Sequence, residues 1–204
     1  MTTVPVGRLR RVVAVVAAIN FAYFFVEFFV ALEAGSVSLL ADSVDFLEDT
    51  AVNVLILVAL GWPLARRAVM GKVMAVIIVG PAVFAAWEAV QRFGAPQAPD
   101  VVPLVVASAG AIVVNGTSAW LLSGVRQHGG SLSRAAFLSA RNDVLVNVAV
   151  IAMGVLTAVT GSGWPDLILG CVIIGLAGRA AWEVWEVSED ERLAARALDG
   201  EQID

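Results

Sequence analysis

Long apolar runs, separated by short segments rich in glycine, proline or charge, make up most of the chain. Within each run the apolar residues follow one another and do not alternate with polar ones, which favours buried helices over half-buried strands. Each run has about the 20 residues that a helix needs to cross a bilayer. The pattern predicts an all-α membrane protein with six transmembrane helices, at about residues 12–32, 37–62, 73–91, 101–123, 135–159 and 164–187.

The composition supports the same class of protein. The 204 residues are 59% hydrophobic and 15% charged, whereas soluble chains have about 45–50% apolar and about 25% charged residues. We therefore expect one six-helix transmembrane domain at residues 1–187, surrounded by membrane lipid, and a short acidic cytoplasmic tail at residues 188–204. A nucleic-acid partner is not expected, because the sequence contains no basic patch.

Basic residues mark alternate loops of the predicted bundle. They precede helix 1, lie between helices 2 and 3 and between helices 4 and 5, and follow helix 6, while the other three loops contain almost none. Cytoplasmic loops carry the excess of lysine and arginine, so the pattern predicts a multi-pass protein of the plasma (inner) membrane with both termini in the cytoplasm. The residues concerned are Arg8, Arg10, Arg11, Arg66, Arg67, Lys72, Arg126, Arg134, Arg192 and Arg196.

Helix 2 contains four carboxyl residues, which are expensive to place inside a membrane. A charged side chain near a helix centre costs on the order of 2.5–3.5 kcal/mol on the insertion scale. Asp45 and Asp49 are four residues apart and share one face of the helix. Asp42 and Asn53 extend that face, and Glu48 lies on its flank. This edge of helix 2 is predicted to face a cavity or the bundle interior and to have a function.

Helix 5 carries a weaker copy of the same pattern. Ser139, Asp143 and Asn147 share a face at intervals of four residues, and Asn142 occupies the place that corresponds to the flanking glutamate of helix 2. The correspondence suggests two three-helix halves related as an inverted repeat, as in many transporters. Counted along their helices, Asp49 and Asp143 should both lie roughly 12 Å from the cytoplasmic boundary. We therefore expect the two carboxyl groups to meet.

Grouped carboxyl groups in a hydrated pocket of the membrane can alternate between two states. Their mutual repulsion favours protonation, and a bound divalent cation removes that repulsion and displaces the protons. The cluster is thus suited to the exchange of a metal cation for protons. The expected function is transport and not enzymatic catalysis.

These residues resemble the cation diffusion facilitator family, whose members are six-helix metal/proton antiporters. That family carries the pattern Ser-x-x-Leu-Leu-Ala-Asp-x-x-(His or Asp)-x-x-x-Asp in helix 2, and the resemblance extends over about residues 8–187. The helix 2 motif here is Gly35-Ser-Val-Ser-Leu-Leu-Ala-Asp42-Ser-Val-Asp45-Phe-Leu-Glu48-Asp49, and the other matching positions are Asn20, Glu27, Asn115, Asp143 and Asp166.

The resemblance implies a tetrahedral transport site formed by Asp45, Asp49, Ser139 and Asp143, a homodimer, and export of metal from the cytosol driven by protons. Ser139 departs from the family, which has His or Asp there, so the site would be completed by its hydroxyl group, by Asn142 or by water. Oxygen donors without imidazole or thiolate favour Mn, Mg or Fe(II) over Zn, and Co is a further candidate substrate. The residues expected to line the site and its approach are Asp42, Asn53, Asn147, Glu48 and Glu27.

Two alternatives remain open. The serine at position 139 is compatible with a degenerate member of the family that binds a metal or a partner transporter without transporting, and paired aspartates also occur in intramembrane enzymes. The enzyme is disfavoured because no nucleophile–base set or phosphate loop accompanies the pair. Glu27 is interpreted as an interhelical hydrogen-bond partner in preference to a proton-path group. The family usually has a cytoplasmic metal-binding domain after helix 6, which we expect this chain to lack.

Overall fold

The regular secondary structure of the described residues consists of six α-helices. The computed structural model describes residues 6–125 and 130–198, with only the backbone described for residues 130–133. The loop residues Arg126 and His128 and the tail residues 199–204 lie outside the described residues. The helices are α1 (Val6–Ala34), α2 (Val37–Ala59), α3 (Leu64–Arg92), α4 (Val101–Ser123), α5 (Gly130–Thr160) and α6 (Trp164–Leu198).

The prediction of six helices in an all-α membrane protein is confirmed. Within the described ranges, five helices are long and apolar enough to cross a membrane. The exception is α2, which has a spanning length of 23 residues but contains the four carboxyl residues that lower its hydropathy. The relation of the two halves as an inverted repeat stays a prediction.

The end of α6 differs from the sequence prediction. The apolar run ends near residue 187, but the helix continues to Leu198. Ser188 is buried against Gly71 of α3, and Lys72 Nζ lies 2.5 Å from Glu189 Oε2. Polar contacts with α3 therefore extend the helix beyond the apolar part of its sequence.

The helix that carries the four carboxyl residues is also the most enclosed. Fifteen of the 23 residues of α2 are buried, against seven of 23 in α4, which is equally long. Helix α2 packs against α1, α3, α5 and α6, while α3 pairs with α6 and α4 with α5. Since exposure of carboxyl groups to lipid is costly, the central place of α2 follows from its composition.

Small residues allow the helices around α2 to come close. A Cβ atom on Gly170 of α6 would lie 2.9 Å from both the Ser38 nitrogen and the Val37 carbonyl carbon at the start of α2. Membrane helices gain little from the hydrophobic effect among themselves and depend on such close packing. Gly170 thus holds the first turn of α2 directly against α6.

The turn between α1 and α2 is tied to the other helices by polar contacts. Gly35 has φ +68°, in the left-handed region that favours glycine. Its carbonyl oxygen accepts a hydrogen bond from the Arg92 guanidinium, and the Asp100 backbone N–H donates to the Ala34 carbonyl at 2.8 Å. Contacts from α3 and from the start of α4 therefore close the bundle at this end.

Candidate functional site

The start of α2 is built to place its carboxyl groups inside the bundle. Ser36 is the N-cap, and its hydroxyl oxygen accepts a hydrogen bond from the Leu39 backbone N–H at 3.0 Å. This cap fixes where the helix begins, so Asp42, Asp45 and Asp49 follow on successive turns. Asp42 and Asp49 are buried, whereas part of the surface of Asp45 remains accessible.

Asp49 is approached by polar side chains from α1 and α5. It is 3% exposed. Asn20 of α1 approaches one of its carboxylate oxygens with Nδ2 at 3.5 Å, and Asn53 donates to its backbone carbonyl at 2.7 Å. Ser139 of α5 also lies near the Asp49 carboxylate. Three helices therefore converge on this residue.

Helix α5 presents its polar face to the same point. Ser139 lies near Asp143 as well as near Asp49, and Asp45 lies close enough to both carboxyl groups for their charges to repel. Asn147 donates to the Asp143 backbone carbonyl at 3.0 Å. Asp45, Asp49, Ser139 and Asp143 thus lie near one another, and their role as ligands stays a prediction.

The group is not closed around an ion. Over the described segments, no three Asp, Glu, His or Cys side chains converge closely enough to hold a metal ion. Asp143 and Ser139 keep part of their surface accessible. The carboxyl groups would therefore have to move towards one another to form a ligand sphere.

Two of the other predicted residues, Asn142 and Glu48, differ in their placement. Asn142 is exposed, and its amide oxygen accepts a long hydrogen bond of 3.4 Å from Arg141. Glu48 faces towards Asp49 and Glu183 of α6, and its Oε1 atom is buried without a donor among the described residues. Asn142 is thus separate from the central residues, whereas Glu48 lies close enough to Asp45, Asp49 and Asp143 for their charges to repel.

Buried oxygen atoms without donors extend the polar region along the bundle. In the described part of the chain they include the amide oxygens of four asparagines and both carboxyl oxygens of Glu27. The asparagines are Asn20, Asn53, Asn115 and Asn147. Buried acceptors are usually paired, so this row of acceptors is suited to bind protons, water or a cation.

Sequence reasoning placed Asp166 only as a match to a family position and missed what it does. Asp166 lies in the first turn of α6 and is 3% exposed. It accepts hydrogen bonds from the Ser36 hydroxyl at 2.5 Å, the Val37 N–H at 2.7 Å and the Ser38 hydroxyl at 2.6 Å. The serines before the carboxylate motif were the available signal, because they need a partner at a helix start.

The amino-acid sequence is similar to a known family of membrane proteins. Residues 13–187 match the family model of the cation efflux transmembrane domain. The zinc transporter ZitB of Pectobacterium atrosepticum is 31% identical over 202 residues, which cover 92% of this chain and 62% of that relative. The zinc transporter ZitB of Escherichia coli K12 is 28% identical over 173 residues, which cover 78% of this chain and 55% of the relative. The chain thus spans about three fifths of the length of these relatives.

Proposed function

Because the chain belongs to the cation efflux family through its transmembrane domain, we propose that it carries a divalent metal cation across the membrane, in exchange for protons, between α2 and α5. The observation that carries the proposal is that the carboxyl groups of Asp45 and Asp49 on α2 and Asp143 on α5 lie close enough for their charges to repel. Membership of this family disfavours the alternative of an intramembrane enzyme.

Partial accessibility of the site supports transport. Asp45 and Asp143 are partly exposed in the single chain, and a carboxyl group in contact with lipid would be costly. Their accessible surfaces are thus best explained by a hydrated opening between α2 and α5. A cation entering there would draw the three carboxyl groups together by charge attraction, since they are not yet arranged as a closed ligand sphere.

The direction of transport and the assembly are further parts of the proposal. Ion pairs of Arg67 with Glu191 and of Lys72 with Glu189 bring the start of α3 to the end of α6. The basic residues of these segments therefore gather at one end, which supports its cytoplasmic orientation with both termini. Export from the cytosol and a homodimer formed by the membrane helices rest on the family resemblance.

The first experiment measures transport itself. The purified chain in liposomes is expected to move at least one of Mn, Fe(II), Zn, Co and Mg faster than empty liposomes do, and an imposed pH gradient should change the rate because protons are exchanged for the metal. Metal-sensitive dyes inside the vesicles report the flux. If folded, inserted protein moved none of these ions, transport would be excluded and the degenerate, metal-binding alternative would take its place.

The choice of metal depends on the donor atoms. The relatives at 28–31% identity are named zinc transporters, and Zn accepts Asp oxygen but commonly takes imidazole or thiolate ligands. Here the four central residues offer oxygen alone. We therefore propose that this site favours Mn, Fe(II) or Mg more strongly than a site with imidazole would.

Introducing an imidazole should reverse this preference. Ser139→His places a nitrogen donor between Asp49 and Asp143, and the ratio of Zn flux to Mn flux is expected to rise roughly tenfold, equivalent to about 1.4 kcal/mol. Competition between the two ions in liposomes measures the ratio. Ser123→His, at the exposed end of α4, is the matched control and should leave it unchanged. An unaltered ratio in Ser139→His would show that position 139 does not contact the ion.

A further inference from the structure

Glu27 of α1 is a fully buried carboxyl group that the transport site does not use. Its exposed fraction is 0%, and no donor from the described part of the chain reaches either of its oxygens. The neighbouring carboxyl group is that of Asp42, which is also 0% exposed and belongs to α2. Two acidic side chains from different helices thus meet in the interior with too few donors.

The pair lies nearer than the candidate metal site to the α1–α2 end of the bundle. Glu27 comes seven residues before the end of α1 at Ala34, and Asp42 comes five residues after the start of α2 at Val37. At about 1.5 Å per residue, both are about 8–10 Å from that end, and Asp49 is about 10 Å deeper along α2. The pair therefore occupies a level of its own between the α1–α2 turn and Asp49.

A third helix directs an amide group at the pair. Asn147 of α5 is 0% exposed, and its Nδ2 atom approaches Asp42 Oδ1 at 3.5 Å. Its own Oδ1 atom has no donor, and neither do Asp42 Oδ2 and the two oxygens of Glu27. Four hydrogen-bond acceptors thus lie together without donors. A proton added to one of the carboxyl groups would convert an acceptor into a donor.

The surroundings of the pair offer no positive side chain. The other titratable groups that face it are Tyr23 of α1, Asp45 of α2 and Asp143 of α5, and the described segments place no lysine or arginine against it. Tyr23 already donates its hydroxyl hydrogen to the Ala107 carbonyl at 2.7 Å. A proton is therefore the simplest source of the missing hydrogen, because two adjacent buried carboxylates cannot both stay ionised.

We propose that Glu27 and Asp42 share one proton and form the proton-carrying group of the transporter, separate from the carboxyl groups that bind the metal. The role of the pair in transport rests on the proposed function. The presence of a shared proton does not depend on it.

The sequence of events follows from charge. The proton enters from the α1–α2 side when that end opens, and binds between the two carboxyl groups. A divalent cation bound at Asp45, Asp49 and Asp143 adds positive charge close to the pair and expels the proton. The proton returns to water on the side from which the cation came, so the protein does not hold the proton and the cation at the same time.

Infrared spectroscopy tests the shared proton without any transport. Purified protein at neutral pH, without added metal, should show a carbonyl stretch of a protonated carboxyl group that shifts in deuterium oxide. Glu27→Gln and Asp42→Asn should each remove the same component, and Glu88→Gln, which alters a carboxyl group paired with Arg92, should keep it. Loss of the component in only one of the two variants, or in neither, would overturn the shared proton.

A flux experiment tests the coupling role. In liposomes, the ratio of metal flux with an imposed pH gradient to flux without one should fall to about one in Glu27→Gln, while Glu88→Gln keeps the wild-type ratio. A normal ratio in Glu27→Gln would overturn the role in coupling. If the wild-type chain moved no metal, the proposed function would fail, and the infrared result would still decide whether the pair holds a proton.

Discussion

Asp49→Ala is expected to reduce metal flux at least about 100-fold. Loss of a residue that only supports a ligand costs about 10–100-fold in metal affinity, and Asp49 is proposed as a ligand itself. It is also the carboxyl group on which α1, α2 and α5 converge, through Asn20 and the Ser139 hydroxyl. Asp49→Asn should be nearly as severe, because the amide keeps the shape but not the negative charge that attracts the cation.

Flux into liposomes under a pH gradient measures this effect. Glu33→Ala is the matched control, since it removes an exposed carboxyl group near the end of α1 and should leave the rate within about twofold of wild type. If the Asp49→Ala variant inserted normally and still transported metal at half the wild-type rate, Asp49 would not be a ligand. The site would then have to be sought around Asp45 and Asp143.

Asp166→Ala should lower the free energy of unfolding by about 3 kcal/mol. Hydrogen bonds to charged groups contribute about 1.5–3 kcal/mol each before allowance for non-additivity. The variant leaves the Val37 and Ser38 N–H groups and two serine hydroxyls without their acceptor in a buried place. Thermal unfolding in detergent, followed by tryptophan fluorescence, reports the change.

Asp100→Ala separates this effect from the general loss of a helix cap. Asp100 is exposed and accepts one hydrogen bond, from the Val102 N–H at 3.2 Å, so its removal should cost only about 0.5–1 kcal/mol. If the free energy of unfolding fell equally in the two variants, the contact between α2 and α6 would add nothing beyond ordinary helix capping. A much larger decrease in the free energy of unfolding in Asp166→Ala would show that Asp166 stabilises the packing of α2 against α6.

Several features follow from the amino-acid sequence by itself because their causes are local. An apolar run of about 20 residues forms a helix in a membrane whatever its neighbours are, and the six predicted helices are present. The helical period places Asp45 and Asp49 on one face. The residue count along two antiparallel helices was sufficient to expect Asp49 and Asp143 at one level, and in the structure the two carboxyl groups lie close enough for their charges to repel.

Other features were decided by the tertiary structure alone, because a helical period does not specify which neighbour a face will meet. Asp166 binds the start of α2 from a helix about 130 positions away, and Glu27 meets Asp42 across two helices. Asn142, one position from Asp143, turns towards Arg141 and is exposed. Rotation, tilt and close approach of the helices set these contacts, and they depend on the packing of side chains from several helices at once.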